Sequence, residues 1–254
     1  MLVDVHLHLD SCPQPEELLK AGRAAGIQSV AVTTSLLSYV RTRLLCQPFP
    51  QVRLALGLHP HRVGAAYDPW EEWKQMQADV PIVGEVGLEF RGCEEQWAEQ
   101  KERFAEICRL CGRGNRLVLL HADRAEAEAW EVLSAHPVRW VVWLGYRAEA
   151  PRLTLYRAVE AGHLLAVGPE MARNGALQTR LRAIPREQVL TGTDAPFGVP
   201  ASGDRATALR EILAGLSQVW RCTLEEAEAQ VERNWSRIAA DLGIGVADSL
   251  AVAG

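Results

Sequence analysis

Apolar runs of strand length alternate with longer stretches of helical period along almost the whole chain. The strand-like runs are residues 1–6, 28–34 (QSVAVTT), 52–58 (VRLALGL), 81–86 (PIVGEV), 116–121 (RLVLLH), 138–144 (VRWVVWL), 163–168 (HLLAVG) and 188–193 (QVLTGT). Short runs that stay apolar on both faces are the mark of strands covered by helices on each side. Helical patterns follow them, for example over 15–25, 94–112, 124–135 and 204–219. Eight such units in succession predict a single (β/α)8 barrel, with an open doubly wound sheet as the alternative. No linker or low-complexity stretch divides the chain. One domain is therefore expected over 1–242, with a flexible tail over 243–254.

Composition changes this picture little. The 254 residues are 48% hydrophobic and 23% charged, an ordinary globular balance. No apolar run is long enough to span a bilayer, and the N-terminus lacks a signal core, so the expected location is the cytoplasm. The six cysteines fit reduced thiols there. Cys108 and Cys111 form a CxxC, but inside a helical pattern and with no second pair, which favours packing over zinc or redox work. The net charge of −5 offers no general attraction for nucleic acid. Only three lysines are present (Lys20, Lys74, Lys101), none beside a motif, which argues against Schiff-base chemistry.

The polar residues at the strand ends carry the chemistry. In VDVHLHLD, His6 and His8 share one face of the first strand, and Asp4 and Asp10 have the same parity. GLHPH puts His59 and His61 after the third strand. Glu85 and Glu89 end the fourth, His121 ends the fifth, and Asp194 ends the eighth. In a barrel these ends converge on the face where active sites are built. Five of the seven histidines fall there, while His136 and His163 precede their strands and belong to the opposite face. This sorting, with nitrogen and oxygen donors and no cysteine, points to a zinc-like or other divalent metal centre and to hydrolysis. Neither a GxSxG elbow nor a P-loop is present.

The ordered motifs DVHLHLD, GLHPH, GEVGLEF, LLHAD, TDAPF and NWSRIA resemble those of the TatD family of metal-dependent deoxyribonucleases, amidohydrolase-type barrels. The resemblance covers about residues 2–241. It implies a first ion on His6, His8, Glu85 and Asp194. A second ion would share Glu85 and take His121 plus a histidine after the sixth strand. The ions would be zinc, magnesium or manganese. The implied activity is cleavage of phosphodiesters, commonly as an exonuclease. Here a 3′–5′ exonuclease on single-stranded DNA ends is expected, since a net acidic surface does not suit a long duplex footprint, with Asp194 as general base and Glu85 the second catalytic residue. Some relatives deacylate aminoacyl-tRNA.

The chain departs from that family at four places. The strand-six histidine aligns with Val141 of VVWLG; the arginine two residues after His121 is replaced by Asp123, with Arg124 one place late; the glutamate before Thr193-Asp194 is Gly192; and an aspartate is Glu89. One tightly bound ion and one weakly bound ion are therefore expected. His61, Arg124 and Trp143 are the candidate substrate contacts, the first two for phosphate and the third for stacking on a base. The competing readings are an amide or ester hydrolase, and a catalytically weak barrel serving as a subunit of a bacterial defence-type complex with proteins of its operon.

Overall fold

The computed structural model describes residues 1–64, 69–92, 94–199 and 204–245. Cys93 and most of the tail expected over 243–254 lie outside the described residues. Nine strands are described: β1 (Leu2–Leu7), β2 (Ile27–Ala31), β3 (Val52–Leu54), β4 (Leu56–Leu58), β5 (Ile82–Glu89), β6 (Leu117–Asp123), β7 (Trp140–Leu144), β8 (Leu164–Val167) and β9 (Val189–Thr191). All pairings are parallel, β1 to β3 forming one sheet and β4 to β9 another, each strand beside its neighbours in sequence. The fold is the parallel α/β barrel that the pattern predicts.

The third predicted strand is divided at Ala55, where the chain passes from one neighbour to the next. β3 pairs with β2, and β4 pairs with β5. The Thr33 hydroxyl bridges the break, donating to Ala55 O at 2.8 Å and accepting from Gly57 N at 3.0 Å. A Cβ on Gly57 would lie 1.6 Å from Thr33 O, so only glycine fits this crossing. Around the other side, Leu7 bridges to Ala195, His8 N donates to Ala195 O at 2.9 Å, and Asp194 N donates to His6 O at 2.8 Å. The end of β9 is thereby stitched to the end of β1, bringing the first and last functional motifs side by side.

The helices are α1 (Pro15–Ala24), α2 (Leu36–Cys46), α3 (Trp70–Met76), α4 (Trp97–Gly112), α5 (Glu126–Ala135), α6 (Arg152–Glu160), α7 (Pro169–Arg173), α8 (Gly175–Leu181), α9 (Arg205–Trp220) and α10 (Leu224–Asp241). Among the described residues none is long and apolar enough to cross a membrane. Cys108 and Cys111 are fully buried free thiols on α4, pushed up by burial, Cys111 to about 12. They are core residues, as their setting in a helix implied.

Strand register decides which residues face the barrel mouth. Partners in a parallel pair present the same face, and successive residues alternate. His121 pairs with Leu144, while Leu120 pairs with Trp143 and Val118 with Val141. His121 and Leu144 both line the cavity at the strand ends. Val141 and Trp143 therefore look the other way, towards the helices. Trp143 Nε1 donates to His163 Nδ1 at 3.1 Å, and His163 in turn lies beside Trp130 of α5. This corrects two expectations. Trp143 is a packing residue that cannot stack a base, and the mouth position on this strand is Leu144 rather than Val141.

Candidate metal centre

β1 delivers His6 and His8 to one point, with their Nε2 atoms 3.1 Å apart. From β5, Glu85 brings Oε1 to 3.7 Å from His6 and Oε2 to 3.3 Å from His8. Asp194 completes the group: its Oδ1 lies 3.5 Å from His6 Nε2 and 3.3 Å from His8 Nε2. Two imidazole nitrogens and carboxylate oxygens of two residues crowd together in a wall where His6, His8 and Glu85 are buried. Such a donor set fits a divalent ion, which would replace mutual repulsion with coordination. His8 Nδ1 is buried without a hydrogen-bond partner, so the only placed polar atom of that ring is the one facing the cluster. Burial works against a charge on His6, but the hydrogen bond to Glu85 and the charges of Glu85, Asp194 and Asp4 outweigh it and raise its pKa.

Backbone geometry holds Asp194 in place. Its φ of 52° is left-handed, a conformation that costs a non-glycine residue about 1–3 kcal/mol and is tolerated where the surroundings over-determine it. Here the surroundings include Asp4. Its fully buried carboxylate accepts Thr193 N at 2.9 Å and the Thr193 hydroxyl at 2.7 Å, and pairs with Arg205 at 3.2 Å. Asp4 thus shares the parity of the histidines but braces the neighbouring loop, while Asp10 is exposed and accepts from Ser38. Gly192 permits the same approach, because a Cβ there would lie 2.8 Å from His6 Cβ.

The other side of Glu85 is organised differently. His121 Nδ1 lies 2.8 Å from Glu85 Oε1, and its Nε2 lies 2.8 Å from Glu89 Oε2. Burial opposes a charge on His121, but the two carboxylates override it and push its pKa up to about 10. Burial likewise opposes a charge on Glu85, yet His121 and His6 hold its pKa well below the usual carboxylate range.

His59 also enters this cluster, its ring 4.4 Å from that of His121, and ligand atoms of His59, Glu85 and His121 fall within 4.8 Å of one another. Sequence reasoning placed His59 at the mouth without giving it a role. Its Nδ1 accepts the His61 backbone N–H at 3.2 Å, so the neutral ring carries its proton on Nε2. Burial pushes its pKa down to about 3, which keeps it neutral. As a ligand, His59 would have to give up that hydrogen bond or that proton. Leu144 supplies no donor at the position opposite.

A cavity of about 690 Å³ opens over both clusters. His61 lines it, stacked on His59 at 4.9 Å with Nε2 3.6 Å from Glu89. Arg124 does not: it is exposed on a left-handed residue (φ 57°) and lies outside the lining. The arginines on the wall are Arg62 and Arg147, and the aromatic at the rim is Phe197, 67% exposed and edge-on to His8 at 5.2 Å. Phe197 directly follows TDAP, so the motif that supplies Asp194 also marks it. Arg147 stands two residues after VVWLG, but sequence reasoning gave it no role, and the fold brings it to the wall.

Comparison with known proteins gives a consistent result. The sequence profile of the family described as TatD related DNase matches residues 3–239. The uncharacterized metal-dependent hydrolase YjjV of Escherichia coli K12 is 28% identical over 213 residues, covering 79% of this chain and 81% of that protein. A 3′-5′ ssDNA/RNA exonuclease TatD of Cronobacter turicensis is 28% identical over 250 residues, covering 88% of this chain and 90% of the relative. The crystal structure of the E. coli YjjV protein superposes with a TM-score of 0.83 over 93% of this chain and 97% of that one, at 24% identity.

Proposed function

The chain belongs to the family of TatD-related DNases, and on that premise we propose that this metal-dependent hydrolase is a phosphodiesterase that removes nucleotides from the 3′ ends of single-stranded DNA. The observation that carries the reading is the convergence of His6, His8, Glu85 and Asp194 on one point in the wall of an open cavity. A divalent ion held there would supply Lewis acidity towards a phosphoryl oxygen and lower the pKa of a water to about 7.

Asp194 takes the proton of the attacking water. It is the exposed member of the group, with 41% of its side chain accessible against 9%, 7% and 3% for His6, His8 and Glu85. Glu85 orients three histidines through its two oxygens, and Glu89 fixes the far nitrogen of His121. His59, neutral and with its proton on Nε2, acts as a hydrogen-bond donor at the wall. Phe197 offers a face on which a terminal base can stack. The acidic net charge suits short single-stranded ends, because a long duplex footprint needs many cationic contacts.

The ions are zinc, magnesium or manganese. The first set holds one tightly. The second, on Glu85 and His121, holds one weakly, because His59 presents a proton and Leu144 nothing. Residues 1–242 form the hydrolase unit, acting in the cytoplasm, where its thiols stay reduced. The test is single-stranded DNA labelled at either end, incubated with the protein with and without added manganese. Stepwise release of mononucleotides from the 3′ end, abolished by chelation, is the expected result. Protein that binds metal yet cleaves no oligonucleotide contradicts the reading.

A further inference from the structure

The edge of the cavity formed by the ends of β5, β6 and β7 carries a charge arrangement that the hydrolytic centre does not use. Asp123, two residues beyond His121, is flanked by two arginines from the adjacent loops. Arg91 Nη2 lies 2.8 Å from its Oδ2, and Arg147 Nε lies 2.9 Å from its Oδ1. Arg147 Nη2 lies a further 3.5 Å from Glu126 Oε1. These contacts fix one edge of the Arg147 guanidinium. Its Nε, together with Asp123 Oδ1 and Glu126 Oε1, is buried and in ion contact without an aligned hydrogen bond. A guanidinium has five N–H donors in a planar fork suited to a two-oxygen anion, so the other edge retains that capacity.

Arg147 lies at a junction. It lines the cavity over the metal cluster and also an adjoining crevice of about 310 Å³, and the two spaces share His6, Gly145, Glu170 and Asp194. The crevice wall is open because Gly145, Gly168 and Gly192 carry no side chains. A group reaching from the metal cluster into this crevice meets Arg147 at the junction. What Arg147 offers an anion there is its remaining N–H donors, since Asp123 and Glu126 already balance much of its charge.

We infer that Arg147 binds a second phosphate of the substrate, the one next to the scissile diester, and so makes the enzyme selective for chains over isolated diesters. This rests on the phosphodiesterase reading. Asp123 and Glu126 are the positioning residues that aim it, and Arg124, outside the cavity, takes no part. Tethering by two carboxylates means that the guanidinium is preorganised, and ordering it on binding costs little.

Two measurements test this on the full chain. In the first, thymidine 3′,5′-bisphosphate and thymidine 5′-monophosphate are titrated into the metal-loaded protein. The wild type should prefer the bisphosphate by roughly 10- to 100-fold, the weight of one charge-assisted contact. Arg147→Ala should erase the preference while leaving metal content unchanged, and Arg147→Lys, which keeps the charge and loses the fork, should fall between. In the second, Arg147→Ala should raise KM for a single-stranded oligonucleotide by a similar factor and leave kcat and KM for bis(p-nitrophenyl) phosphate, which has no second phosphate, within about twofold.

An equal loss on both substrates, or a bisphosphate preference that survives Arg147→Ala, overturns the assignment. Wild-type protein that hydrolyses neither substrate refutes the phosphodiesterase reading instead, and the binding titration then still judges Arg147. If Arg147→Ala does not fold, Asp123→Asn, which releases the guanidinium from its tether, should weaken the preference in the same direction. An unchanged preference in that variant overturns the tethering.

Discussion

Two clusters share Glu85 and are built on opposite logic. On the β1–β9 side, His6, His8 and Asp194 bring their atoms within 3.1–3.5 Å of one another, a convergence that one cation between them would satisfy. On the β4–β6 side, the polar atoms are engaged pairwise: His121 with Glu85 and Glu89, and His59 with the His61 backbone. The first cluster is a set of converging donors that a single ion could take up together. The second is a closed network that an ion must break into, displacing a proton that the carboxylates hold on His121 with a pKa of about 10. The difference teaches that histidines in a pocket are not equivalent ligands, since the hydrogen bond at the far nitrogen decides what the near one presents.

The comparison breaks most visibly at Asp194. Asp194→Asn should lower hydrolysis by about 10²–10⁴-fold, the usual weight of a general base, with the thermal unfolding curve preserved. Glu85→Gln should do comparable damage and lower the metal content of both clusters, because it serves each. If Asp194→Asn kept more than about a tenth of the activity, the proton would be going elsewhere.

Leu144→His sharpens the contrast by giving the second cluster a donor on the strand that faces His121. It should raise metal occupancy towards two per chain and reduce the dependence of activity on added manganese. Val141→His is its control. That side chain faces the helices, so the substitution should leave metal binding unchanged and cost about 1–3 kcal/mol of stability through a buried unpaired imidazole. A gain of metal in the Val141 variant, with none in the Leu144 variant, would reverse the register described here.

An effect on stability alone, not on metal or activity, is expected where Trp143 packs against His163. Burial pushes His163 from 6.5 down to about 4. The folded protein therefore keeps it neutral while the unfolded chain takes up a proton. The stability this group contributes is complete above pH 6.5 and is lost as pH falls towards 4, about 3 kcal/mol in all. Urea unfolding of wild type and His163→Leu across that window should show the gap between them narrowing on the acid side, with the wild type the more sensitive.

Much of this was legible in the sequence because strand ends are marked twice, once by the apolar run and once by the polar residue that terminates it. The motif DVHLHLD gave both histidines and their shared face, and TGTDAPF gave Asp194. What the sequence hid was register and hydrogen-bond direction. Matching VVWLG by its glycine put the missing histidine at Val141. Only the pairing of β7 with β6 shows that the mouth belongs to Leu144, one face and three residues away. Arg124 stands one place after the family's arginine position, which made it, with His61, a candidate phosphate contact, but it lies on a left-handed residue outside the cavity lining, and Arg147 arrives from the next loop. The tautomer of His59 depends on one backbone N–H, which no pattern of side chains encodes.

The central claim is that the two clusters bind metal unequally, and counting metal tests it most directly. Protein stripped by chelator, reloaded with zinc and dialysed against metal-free buffer should retain close to one ion per chain, and His59→Ala should retain the same. Two ions held through dialysis by the wild type, with one of them lost in His59→Ala, would show that His59 yields its proton and ligates, and the asymmetry described here would be wrong.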